Sequence, residues 1–297
     1  MAVLNPALAQ ARQATSRQPT GVLRSALRLW RTRIGLALVV MLGGIALFGS
    51  LVAPHSAGDF VGSPNTGPAP GIPFGTDYLG QDVWSRFLEG GFEILVLAAL
   101  ATMLGLAAGS TLGMLAAYSR SLLDDVIMRG MDIILAFPNI MLALVLISVA
   151  GPSGWLIVLA VALSNTPGVA RVTRGAAQPI VVRDFVAAAE ALGLPRFRIL
   201  FGEVLPNILS PLMVEASLRL TNSIIAVASL AFLGFTIHPN GADWGLMIQE
   251  NQIALVVQPW GVILPMTAVA LLTIGTGLMG DGIARAAAGI DRDRRPD

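Results

Sequence analysis

Val182–Asn207 reads VRDFVAAAEALGLPRFRILFGEVLPN, and the rest of the chain is arranged around it. The stretch is too polar to cross a bilayer and too periodic for a plain loop. Phe185, Ala188, Ala189, Leu192 and Ile199 can share one helical face, while Arg183, Asp184, Glu190, Arg196 and Arg198 stay wet. Gly193, followed by Pro195, predicts a turn. The expectation is a short helix, a glycine turn and a second helical piece ending at Leu205-Pro206-Asn207. Flanked by long apolar segments, such a stretch has the form of a handle held out from a membrane toward another protein.

Composition supports the membrane. Of 297 residues, 55% are hydrophobic and 12% charged, far below the roughly 25% charged of soluble domains. The net charge of +1 gives no sign of a nucleic-acid partner. There is no cysteine, which excludes disulfides, thiolate catalysis and thiolate metal sites. All 19 basic residues are arginine. A phosphate-binding P-loop needs a lysine, so this chain has no such loop, and any ATP that drives it binds another polypeptide.

Six apolar runs are long enough to be spans: 34–53, 92–118, 133–150, 155–170, 208–235 and 256–280. The first follows an Arg-rich tail, residues 1–33, and is longer than the apolar core of a signal peptide, so it reads as a retained anchor at 34–53. Residues 54–91 form a Gly/Pro-rich external segment. Residues 92–281 form a core with five further spans and the 182–207 loop, and 282–297 a second tail. With the N-terminus inside, seventeen arginines fall on inside segments, Arg86 alone on an outside one, and Arg219 within the fifth span. That bias places both termini and the handle in the cytoplasm. The expected fold is all-α, a polytopic protein of six transmembrane helices. Gly105, Gly109 and Gly113, four residues apart, predict a groove for close helix packing.

The handle resembles the EAA loop of ABC-importer permeases. Ala187-Ala188-Ala189, Gly193 and Leu205-Pro206-Asn207 keep its spacing, with Ala187 at the usual Glu and Glu203 where close relatives often have His. Phe74–Arg86, FGTDYLGQDVWSR, is similar to the FGTD-x-LGRD-x-x-SR motif of the dipeptide, oligopeptide and nickel permeases, with Gln81 for the usual Arg. The resemblance extends from about Phe74 onward. It implies a type I importer permease of a bacterial inner membrane, the second-permease kind with an added N-terminal span. It also implies a homologous second permease, two ATPase subunits carrying ATP and Mg, and an extracytoplasmic solute-binding protein. The loop would be a coupling helix seated in a groove of the ATPase through Phe185, Ala188, Ala189, Leu192, Gly193, Leu205, Pro206 and Asn207. Peptides are the commonest substrates of this group; nickel or another small solute is the alternative.

Other candidate sites come from the residues themselves. Asp77, Asp82 and Trp244 lie in external segments, either as parts of a packed plug or as contacts for the solute-binding protein. Glu215 and Arg219, four residues apart, share a face inside the fifth span and can pair. Ionisable groups at that depth usually mark an interior route, so the two read as pathway residues or as a structural pair between subunits. His55 and His238 have no metal-ligand spacing, and no catalytic constellation is visible, so the chain is not expected to be an enzyme. A gradient-driven secondary transporter is the rival class, disfavoured by the lack of an evident inverted repeat.

Overall fold

The computed structural model describes residues 24–119, 122–151, 153–238 and 241–288. Most of the N-terminal tail and residues 289–297 lie outside them. The elements run α1 (Trp30–Val52), α2 (Val83–Glu89), α3 (Phe92–Ser119), α4 (Leu122–Leu135), α5 (Asn139–Ala150), α6 (Gly154–Val181), α7 (Asp184–Ala191), α8 (Arg196–Ile199), a π-helical turn (Leu200–Val204), α9 (Leu205–Asn207), α10 (Leu209–Phe232), α11 (Trp244–Asn251) and α12 (Trp260–Ala288). Four segments are long and apolar enough to cross a membrane, and two pairs of bent helices raise the number to six if each pair is one span.

The bundle is held by α3 lying along α6. A Cβ added to Gly109 would stand 2.6 Å from Val169 Cβ and 2.8 Å from the Thr166 carbonyl, and one on Gly113 would meet the Ala170 carbonyl at 2.5 Å. The expected glycine groove is therefore filled by the backbone and β-carbons of α6. Gly35 and Gly275 allow the same approach between α1 and α12. Helix α10 is tied to α3 by Thr102 Oγ1 donating to Ser223 Oγ at 2.9 Å, and to α12 by a Thr221–Thr276 hydroxyl pair, also 2.9 Å apart.

Proline places two boundaries differently from the expectation. The fourth span was expected to end near Pro167, but α6 runs on through Pro167 and Pro179 to Val181. Its tight contacts with Gly105, at Asn165, and with Gly109, at Val169, flank Pro167, where one backbone bond is lost. At Pro138 the outcome is reversed. The third span was expected to pass through it and the stretch before it to be a polar loop; instead α4 ends at Leu135 and α5 leaves at 84°. Phe137 precedes a proline and is disfavoured in the helical region. Two Arg174–Asp124 bonds of 2.6 Å hold α4 against α6. Near Pro211 the break falls at Ile208, where the chain turns by 79°. Pro211 offers no N–H to the Asn207 carbonyl, so the preceding helix cannot run on, and Pro211 sits in the first turn of α10 where none is needed.

Residues 54–91 fold together with 236–238 and 241–259 into a cap over one end of the bundle. Asp77 Oδ1 accepts from Leu79 and Gln81 N–H at 2.9 and 2.8 Å, an Asx turn, and its other oxygen pairs with Arg86. Arg86 also reaches Glu250 at 2.9 Å and donates to the Gly241 carbonyl at 3.2 Å, joining the two segments. Asp82 caps α2 through the Trp84 and Ser85 N–H groups. Gln258 Nε2 donates to the Thr66 and Phe74 carbonyls. Phe74, Trp84, Phe87 and Trp244 form a continuous aromatic row, and Trp244 Nε1 donates to the Phe87 carbonyl at 2.8 Å. Asp77, Asp82 and Trp244 are 0%, 1% and 0% exposed. This corrects their assignment as contacts for a binding protein: their polar atoms are consumed inside the cap, and a partner cannot touch them while it is folded.

Burial pushes the Asp243 carboxyl up to about 7, although the Gly245 and Leu246 N–H groups donate to it at the start of α11. An acid raised on folding stabilises the fold while protonated. Its contribution is complete below the unfolded value of ~3.9 and is lost as pH rises through about 7.

Two outcomes are expected. Gly109→Leu should cost about 1–3 kcal/mol by overpacking and lower the thermal midpoint of the detergent-purified chain, whereas Gly43→Leu, where nothing lies within 4 Å, should not; equal midpoints would dismiss close approach as a determinant. Asp243→Asn keeps the cap and should flatten the fall in thermal stability from ~pH 4 to about pH 7. An undiminished slope in that variant would rule out Asp243 as its source.

Candidate functional site

The handle is α7, a turn, then α8 to α9. Gly193 takes φ +73°, a left-handed conformation that glycine adopts without strain, and its N–H donates to the Glu190 carbonyl at 2.9 Å. The Leu194 N–H closes on the Ala189 carbonyl at 3.2 Å, giving the reversal that the Gly193–Pro195 spacing predicts. The two faces differ from the expected ones by one position. Val186, Ala189 and Ile199 pack inward on Tyr118 and Leu194. Phe185, Ala188, Leu192 and Gly193 are exposed, as are Pro206 and Asn207, with Leu205 half-buried. Ala189 is therefore a support of the handle and is removed from the expected contact set. Leu192 and Phe197 stand 81% and 71% exposed, and Phe197 stacks on Phe201 with centroids 4.5 Å apart. An apolar surface of this kind on a polar connection has the character of a protein contact. Tyr118 hydrogen-bonds Glu190, so α7 is fastened to the end of α3.

Inside the bundle, Glu215 and Arg219 form a pair within α10. Arg219 Nε and Nη2 contact Glu215 Oε1 at 2.6 and 2.5 Å. The pair is made within this chain, along one face of α10. The guanidinium lies over α6, where a Cβ on Gly168 would stand 2.4 Å from Arg219 Nη2. Glu215, Arg219, Asn222, Ala226 and Leu230 fall at helical spacing along one stripe of α10. Val161, Ser164, Asn165 and Gly168 form the facing stripe of α6. Between the stripes lies a cleft that Asn139 of α5 closes at one side. Asn165 Nδ2 donates to Ser223 Oγ at 2.8 Å, which fixes its side chain on the cleft wall.

The sequence reading singled out Glu215 and Arg219 but not Asn139, Ser164, Asn165 or Asn222. Amides inside otherwise apolar runs were the available signal, and charge drew attention first. Their convergence needs the bend at Pro138, which brings the start of α5 beside α6. Among the described residues, no cluster of three or more metal-ligating side chains occurs.

Residues 109–288 match the family described as binding-protein-dependent transport system inner membrane component. The chain is 33% identical over 264 residues to a glutathione transport system permease protein of Pectobacterium atrosepticum, covering 87% of this chain and 88% of the relative. It is 34% identical over 259 residues to a di/tripeptide transport system permease protein of Pseudomonas aeruginosa, covering 85% and 86%. It is 33% identical over 254 residues to a dipeptide transport system permease protein of Alkalihalophilus pseudofirmus, covering 85% and 84%. The handle, the groove between α6 and α10 and α12 all lie within the matched region, and the chain belongs to the family of inner-membrane permease subunits of binding-protein-dependent ABC importers.

Proposed function

We propose that this permease forms half of the route through an ABC importer for short peptides, with a homologous second permease completing it. Three relatives similar over most of both chains carry the names of glutathione, di/tripeptide and dipeptide permeases, and all three solutes are short peptides. The cap faces outward, toward a solute-binding protein, and both termini and the handle face the cytoplasm, in keeping with the arginine distribution. Residues 92–281 are the working core, and 34–53 an anchor packed beside it. Two ATPase subunits, which bind ATP and Mg, sit beneath the handle.

The observation that carries the coupling role is the exposed apolar surface of Phe185, Leu192 and Phe197 on a helix–turn–helix that the described residues leave uncovered. Phe185, Ala188, Leu192 and Gly193 enter the groove of the ATPase; Leu205, Pro206 and Asn207 complete the rim. Movement of the ATPases reaches α3 through Tyr118 and reaches α10 through the rigid turn at Ile208. Glu215 and Arg219 border the inner part of the route, where Glu215 neutralises an arginine that would otherwise be too costly at that depth.

Leu192→Glu tests the docking, because the side chain stands 81% exposed among the described residues. A charged residue at the centre of a contact removes ~2 kcal/mol or more. The variant should insert normally but lose its ATPase subunits on purification, and peptide uptake by the reconstituted complex should fall by more than tenfold. Full uptake with ATPases retained would overturn the docking assignment.

A further inference from the structure

Asn139 and Asn222 carry side-chain amides midway along the bundle. Asn139 and Asn222 are exposed on the isolated chain, and among the described residues neither side chain has a hydrogen-bond partner. Their depth makes this unusual. Asn222 is ~20 Å along α10 from Leu209, and Ser164, opposite it, is ~15 Å along α6 from Gly154, at ~1.5 Å per residue. Both helices exceed the hydrocarbon thickness of ~30 Å, so the amides lie near the middle of the membrane. No water reaches a lipid-facing surface there, and an unpaired amide turned to hydrocarbon is strongly disfavoured. This face of the chain therefore does not meet lipid.

The same face carries the cleft lined by Asn139, Val161, Ser164, Asn165, Asn222 and Leu230. Its polar groups are uncharged. Each asparagine offers a carbonyl acceptor and two N–H donors, the complement of the C=O and N–H of a peptide unit. The rest of the lining, Val161 and Leu230 among it, is apolar. The buried Thr102–Ser223–Asn165 chain of hydrogen bonds holds the wall rigid behind the free amides. Arg219 lies one turn away on the same stripe, with its charge already matched by Glu215.

We infer that the Asn139–Asn222 cleft is a mid-membrane contact site at which the permease hydrogen-bonds the backbone amides of the passing peptide. The inference rests on the peptide-permease reading above and adds the residues that would read the solute. Recognition of the peptide unit, common to all peptides, would pass solutes of different sequence through one route.

The absence of cysteine from the chain gives a direct test. Asn139→Cys and Asn222→Cys each introduce a single reporter thiol in this subunit, in the complex purified with its native partners and placed in liposomes. A membrane-impermeant, charged thiol reagent should modify both. Modification only by a lipid-soluble reagent, or no modification, would mean that lipid or the second permease covers the cleft, and either result overturns the inference without touching the importer assignment. In the same liposomes, Asn222→Leu should lower uptake of dialanine about tenfold with ATPase subunits still bound, and Asn222→Gln should restore part of it. Unchanged uptake in an accessible cleft would overturn amide recognition. No dialanine uptake by the unsubstituted complex would remove the peptide reading and the amide role together, leaving thiol access to report on the route alone.

Discussion

The close approach of α3 and α6 is the contact on which the other parts depend. Where lipid tails are as apolar as leucine, hydrophobic burial does little to join helices, and backbone proximity through small residues takes over. Gly105, Gly109 and Gly113 supply that proximity. The contact spans Pro167, and α6 runs as one continuous helix from the cap end, at Gly154, to the handle, at Val181. One face of that helix meets α3 and the next meets α10 across the cleft. The handle hangs from its last turn and is held to α3 through Tyr118. The handle is thereby joined to two packed helices rather than to a flexible linker.

The absence of water in the bilayer sorts the polar groups into three kinds. Thr102, Asn165, Ser223, Thr221 and Thr276 satisfy one another and act as interhelical ties. Glu215 and Arg219 satisfy one another within a helix and leave little net charge at depth. Asn139 and Asn222 satisfy nothing within the described chain and identify the face that water or solute must reach. Polarity alone would have grouped all of these; hydrogen-bond satisfaction separates them.

The cap answers to a different constraint. It lies outside the spans, yet it buries Arg86 between Asp77 and Glu250 and caps two short helices with Asp82 and Asp243. Removing one member of such a set leaves an uncompensated buried charge, so its motif residues are explained by folding. The FGTD-type segment is thus a structural lid on the bundle, and a contact for a delivery protein has to be sought among the exposed residues around it.

Much of this was legible in the residues. Apolar run length gave the spans, and glycine at four-residue spacing gave the helix contact. Gly193 and Pro195 gave the turn of the handle, because a left-handed backbone and a proline leave few alternatives. The residues facing inward were harder: Phe185 and Ala188 share a helical face with Ala189 by periodicity, but Ala189 alone of these packs inward on Tyr118. Whether a proline breaks a helix was not legible, since Pro167 and Pro138 look alike in sequence and differ only in the packing around them. Nor was the amide cleft, which exists because the 84° bend places α5 beside α6 and α10. Local chemistry and the membrane thus determined the elements and their order; which polar groups were consumed and which stayed free depended on contacts between residues distant in the chain, and only the tertiary structure decided those.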